Sequence, residues 1–148
     1  MSREEVAKKE VLSSVTETIN APIEEVWPYV AAIGTEKLWI LGCFRSALVS
    51  GSGKGAVRKM HFNHGIFTER IEDCDHETYR FVYRVLEPHP LPGQDPVGII
   101  QLERDGTSNE HTKFTWTGTA DRWDAELKPL ARELARRTHL TSIATIRK

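Results

Sequence analysis

Residues 11–30, VLSSVTETINAPIEEVWPYV, change period part-way along. Up to Asn20, Val11, Ser13, Val15, Glu17 and Ile19 alternate with Leu12, Ser14, Thr16 and Thr18, the period-two signature of a half-buried strand. Beyond Pro22, Ile23, Val26, Trp27 and Val30 recur at helical spacing, and the proline sits where a first helical turn has no donor to lose. The segment therefore predicts a strand feeding straight into a short helix that Gly34 ends. A second short helical piece follows over 35–41, with Thr35 as its cap.

Downstream the pattern is one of strands and turns. Residues 43–49 and 56–62 flank the flexible turn GSGKG at 51–55, Asn63-His64-Gly65 reverses the chain, and 66–74 and 79–87 form the next pair. The stretch PHPLPGQDP at 88–96 holds four of the seven prolines and predicts a stiff loop with no strand pairing. A last hairpin joins 97–104 to 112–120. From 124 to 146 the chain reads as one helix, with Leu127, Leu130, Ala131, Leu134 and Thr138 on one face. Past Leu134 that face turns polar through Thr141 and Ser142, while Leu140, Ile143 and Ile146 move to the other side.

Working outward to the whole chain, 148 residues favour a single domain over 1–148, with 1–10 a flexible N-terminus. Twenty Lys plus Arg against 21 Asp plus Glu give a net charge of −1, which offers no electrostatic footprint for a nucleic-acid backbone. The charged start MSREEVAKKE and the lack of a long apolar run point to a cytoplasmic protein without a membrane span. Cys43 and Cys74 stand alone and read as reduced thiols. His61 and His64, three apart on a strand-turn, do not share a face, so no metal site is expected, and GSGKG lacks the residues of a phosphate loop. The expected class is α+β: a seven-stranded curved antiparallel sheet wrapped around a long C-terminal helix, with two short helices after strand 1. One helix cannot fill the concave side of seven strands, so a cavity is expected between them.

The element order, ETINAPIEEVWPYV at 17–30, FTERIEDCDHETYRFVY at 67–83 and the terminal amphipathic helix resemble the START/birch-pollen-allergen-like (SRPBCC) superfamily. The resemblance spans about residues 11–146 and extends to polyketide cyclase/dehydrase-like members and plant abscisic-acid receptors. It implies the helix-grip fold and a small hydrophobic ligand held between sheet and helix. Strand parity then assigns the wall. Tyr79, Phe81, Tyr83 and Val85 face inward against Arg80 and Arg84; Arg58, Met60 and Phe62 face inward, as do Phe114 and Trp116. Phe67, Leu91, Leu130, Leu134 and Thr138 complete the ligand-binding candidates.

Glu69 shares parity with Phe67 and Ile71 and should project onto the apolar face, where desolvation would raise its pKa and suit it to acid/base work. Thr68-Glu69-Arg70-Ile71 matches the receptor pattern in which the equivalent glutamate lies in the pocket. The other readings are a strand bulge, or a pairing of Glu69 with a neighbouring arginine that only orders the wall. Arg45 falls near the position where the receptors use a lysine for a ligand carboxylate, and could equally be a solvated strand charge. His89, in PHPL, stands where the receptors carry a latch; it and His64 are candidates for a rim imidazole that moves protons. The stiff loop and the short Asn63-His64-Gly65 turn depart from the receptors' mobile gate and argue against a hormone switch.

Two functions follow. One is an enzyme performing cofactor-free acid/base chemistry (cyclisation, dehydration or isomerisation) on a polyketide-like or aromatic substrate, with Glu69, Tyr83 and His89 as catalytic candidates. The alternative is a non-catalytic carrier or sensor of a hydrophobic small molecule or lipid. A weaker third is an interaction module, with Leu140, Ile143 and Ile146 as a dimer face; the chain would be a monomer or homodimer.

Overall fold

The structure, a computed structural model, describes residues 1–106 and 109–146. Strands β1 (Glu10–Ile19), β2 (Arg45–Ser50), β3 (Val57–Phe62), β4 (Gly65–Asp75), β5 (Arg80–Val85), β7 (Val97–Arg104) and β8 (Thr112–Ala120) form one sheet in the order β1-β8-β7-β5-β4-β3-β2. All its pairings are antiparallel. Helix α2 (Ile23–Ala31) and a 3-10 turn (Glu36–Leu38) follow β1, and α3 (Lys128–Ile146) closes the chain, so the helix-grip α+β fold is as the sequence implies. Part of the turn expected across 105–111 lies outside the described residues.

Bulges bend the strands toward α3 and decide which side chains face in. At the break between Val11 and Ser13 the strict alternation expected for β1 fails: Val11 is 49% exposed and Leu12 only 6%, because a bulge moves each following side chain to the other face. A second irregularity, between Ile71 and Asp73, brings Cys74 rather than Asp73 against the core that holds Ile71, while Glu72 bonds Arg70 and Arg84. The core gathers on the concave side, where α2 contributes Ile23, Val26, Trp27 and Val30 against Phe81, Phe114 and Leu102.

Three features differ from the sequence expectation. The Pro-rich segment does pair: β6 (Gly93–Gln94) joins β9 (Arg122–Trp123), since Gly93 and Gln94 lie in a gap between Pro92 and Pro96 where amides are free to bond. Gly93 also lets Trp123 lie close, for a Cβ there would come within 2.7 Å of the indole. Helix α3 begins at Lys128, not 124, because the Asp124 side chain accepts from the Glu126 and Leu127 amides and makes the preceding residues a turn. Residues 1–10, expected to be flexible, hold helix α1 (Arg3–Ala7), whose Ser2 and Glu5 form a reciprocal capping box.

Lys9 anchors that N-terminal segment. Its buried ammonium donates to the Asp95 carbonyl and carboxylate and to Asp121 at 2.7–2.9 Å, and Asp95 also takes Arg84 at 2.9 Å. The Pro-rich loop is thereby tied to the first strand and to the end of β8.

Candidate functional site: a cavity with a buried arginine–glutamate pair

Between the concave sheet, the Pro-rich loop and the first half of α3 lies a cavity of about 400 Å³. Its wall is mostly apolar. Met60, Phe62, Phe67, Tyr83, Trp116, Leu91, Leu130, Leu134 and Thr138 line it, together with Arg58 and Glu69. Leu130 and Leu134 are 59% and 50% exposed, so the helix spans an open mouth there rather than sealing onto the sheet. The stripe that packs is further along, at His139, Ser142, Ile143 and Ile146.

Four sequence candidates lie elsewhere. Arg45 is exposed on the edge strand β2, paired in register with His61 and outside the cavity, so the solvated-strand reading describes it. Phe81 packs in the core beneath the wall, and Tyr79, at a positive φ of 57°, packs on Trp27. His89 is not among the residues that line the cavity. Its Nδ1 accepts the Leu91 amide and its Nε2 lies 3.0 Å from the Glu87 carboxylate, so Pro90, Leu91 and Pro92 line the wall instead. His64 reaches the rim.

Register explains the polar cluster. Arg58 on β3 is directly opposite Glu69 on β4, and both side chains point inward. Arg58 Nε and Nη2 donate to Glu69 Oε1 at 2.9 and 2.7 Å. Nη1 donates at 3.2 Å to Glu36, a buried carboxylate that also accepts the Gly34 amide. The guanidinium lies 5.0 Å from the Tyr83 ring centre and 5.2 Å from that of Phe81. The Glu69 projection and the arginine pairing, weighed as separate readings of the sequence, are both present.

Burial pushes the Glu69 carboxyl above the ordinary carboxylate range; Arg58 works against that shift and Glu36 adds to it. Burial likewise works against the Arg58 charge, but the two carboxylates outweigh it and hold the guanidinium pKa above its usual value. Tyr83 is raised, by burial first and by the Glu69 charge second, so its phenol stays protonated. Its oxygen accepts the Trp116 indole N–H at 2.9 Å, which turns the hydroxyl hydrogen elsewhere. Gly98 makes room for that phenol: a Cβ there would collide with Cζ and Oη of Tyr83. The arrangement supplies a carboxyl that can take or give a proton, beside a phenol and a guanidinium able to hold a developing oxyanion. Among the described residues no cluster of three or more His, Cys, Asp or Glu side chains is placed to hold a metal.

Sequence reasoning missed two members. Glu36 lies in the 3-10 turn between Thr35 and Lys37, a polar setting that gives no local sign of its burial. His139 had no visible partner, yet it lies flat on Trp116, with ring centres 4.1 Å apart and planes 7° apart, and lines the cavity. Burial drives its pKa down to about 3, and Nδ1 has no hydrogen-bond partner. Such an unpaired buried group costs about 1–3 kcal/mol.

Solved structures share the architecture. The protein XoxI from Bacillus cereus superposes with a TM-score of 0.75 at 19% identity, covering 91% of this chain and 92% of its own. A Thermobifida fusca protein gives 0.75 at 19%, over 90% and 88%. Ara h 8.0201 gives 0.72 at 17%, over 94% and 95%. A search of curated proteins finds no match. No helix is long and apolar enough to cross a membrane among the described residues. Residues 11–144 match the family described as polyketide cyclase / dehydrase and lipid transport, which together with the cavity supports hydrophobic-ligand binding; the chain belongs to that family.

Proposed function

We propose that the cavity takes a polyketide-like or aromatic metabolite and carries out acid/base chemistry on it: cyclisation, dehydration or isomerisation. Glu69 moves the proton, and the Tyr83 hydroxyl and Arg58 hold the oxygen on which negative charge develops. Cyclisation joins two parts of one substrate, dehydration expels water and isomerisation moves a proton, each without net oxidation or reduction, so these reactions need no redox cofactor. His89 is not part of this proposal, because its ring does not line the cavity and its nitrogens face the Leu91 amide and the Glu87 carboxylate.

The observation that carries the reading is the buried Glu69 carboxyl, held by Arg58 on a mostly apolar cavity wall. One placed proton-transfer group contributes roughly 10²- to 10⁴-fold, and constraint of a flexible substrate several kcal/mol more. Native mass spectrometry of the protein from its host extract identifies a retained compound. Conversion of that compound should fall by about 10²-fold or more in Glu69→Gln while binding persists. Equal turnover by the variant would remove Glu69 from the mechanism.

One observation favours the carrier alternative. Two of the three Arg58 guanidinium hydrogen bonds fall on Glu69 Oε1 and the third on Glu36, an arrangement that also serves to stiffen a binding wall. A retained compound released unchanged by the wild type would decide for it.

A further inference from the structure

We infer that His139 is a second polar anchor of the cavity, recognising a hydroxyl group on a hydrophobic ligand whose other polar end meets Tyr83 and Arg58. This rests on the cavity reading above and specifies its ligand class: an apolar ring system with two separated oxygen functions.

The argument begins with what the imidazole lacks. His139 is 8% exposed, its Nδ1 is buried without a partner, and no hydrogen bond reaches either ring nitrogen among the described residues. Buried imidazoles are ordinarily paired, to a carbonyl, a carboxylate or water. Here the ring lies flat on Trp116, with Gly118 beside its edge, where a Cβ would sit 3.9 Å from Cε1, in ordinary contact. The ring lines the cavity with one face covered by indole, and its nitrogens bond in the ring plane.

The partner's chemistry follows from the ring's charge state. A histidine buried against indole with no facing carboxylate stays neutral, so it presents one donor and one acceptor nitrogen. A hydroxyl both gives and accepts, and so satisfies either tautomer; a carboxylate or an ammonium would satisfy only one. Trp116 sets the spacing, since it touches both anchors: its N–H bonds the Tyr83 oxygen while its ring face carries His139. A ligand laid along this wall meets the Tyr83–Arg58 group at one end and His139 at the other.

The test uses calorimetric titration with 2-methylnaphthalene, 2-naphthol and the 1,5-, 2,6- and 2,7-dihydroxynaphthalenes. At least one diol should bind the wild type about tenfold more tightly than 2-naphthol. In His139→Phe, which keeps a flat ring on Trp116, that advantage should fall to within twofold while 2-methylnaphthalene binds as before. In the wild type, the imidazole nitrogen resonances of His139 should move on adding the diol and stay still with 2-methylnaphthalene; this readout needs no variant to fold. A diol advantage that survives His139→Phe, or His139 nitrogens indifferent to the diol, overturns the inference and leaves the cavity reading intact. Failure of all the naphthalenes to bind overturns both.

Discussion

Arg58 separates two roles that a buried ion pair can play. Its replacement by Met removes the charge facing Glu69 and Glu36 and should lower unfolding stability by about 3–5 kcal/mol at pH 7, measured by urea denaturation. The sign of the pH dependence is fixed by Glu69. Its folded pKa is already above the ordinary 4.5, and losing Arg58 raises it further, so the folded variant keeps a proton that the unfolded chain gives up. The deficit relative to wild type should therefore widen as pH rises through the raised pKa of folded wild-type Glu69 and narrow on acidification below it. Gly98→Ala is a purely steric counterpart. The new methyl enters the space of the Tyr83 ring, so the ring must leave its bond with Trp116, at a cost of roughly 1–3 kcal/mol and with a change in Trp fluorescence. At this scale the sequence was most informative where parity decides: Glu69, Arg58, Met60 and Trp116 face inward as alternation requires. It was silent on Glu36 and His139, whose partners in the cavity wall, Arg58 and Trp116, are 22 residues or more away in the chain.

The elements divide into those that close the cavity and those that hold the closure in place. The first half of α3 presents Leu130 and Leu134 to the mouth half-exposed, so the double change Leu130→Ser, Leu134→Ser should shift stability by only about 0.5 kcal/mol each. It should nevertheless weaken 1-anilinonaphthalene-8-sulfonate binding several-fold, seen as loss of dye fluorescence. Lys9→Met acts on the other class. With its ammonium gone, Asp95 and Asp121 lose their shared partner, and amide exchange at Gln94 and Asp121 should accelerate while global stability falls by about 1–3 kcal/mol. Most elements were legible from period and punctuation: β1 into α2, the three hairpins, and the terminal helix. The β6–β9 pair was not, because proline density masks the two residues between Pro92 and Pro96 that remain able to bond. Nor was the register at Leu12, since a bulge leaves no mark in an alternating run.

In the whole molecule, β1 pairs with β8 across about a hundred residues of chain, so the sheet is complete only when both ends of the chain have arrived. The cavity inherits that property. Its wall runs from Leu12 through the hairpins and the Pro-rich loop to His139, with no single segment supplying it. The unfolded chain consequently offers the ligand nothing to hold, and occupancy and folding become one equilibrium. At a hundredfold excess over its dissociation constant, a ligand would add about 2.7 kcal/mol to the stability of the entire chain. A melting-temperature screen across a library of ring-containing diols and phenols thus doubles as a search for the natural occupant, with the fold itself as the reporter.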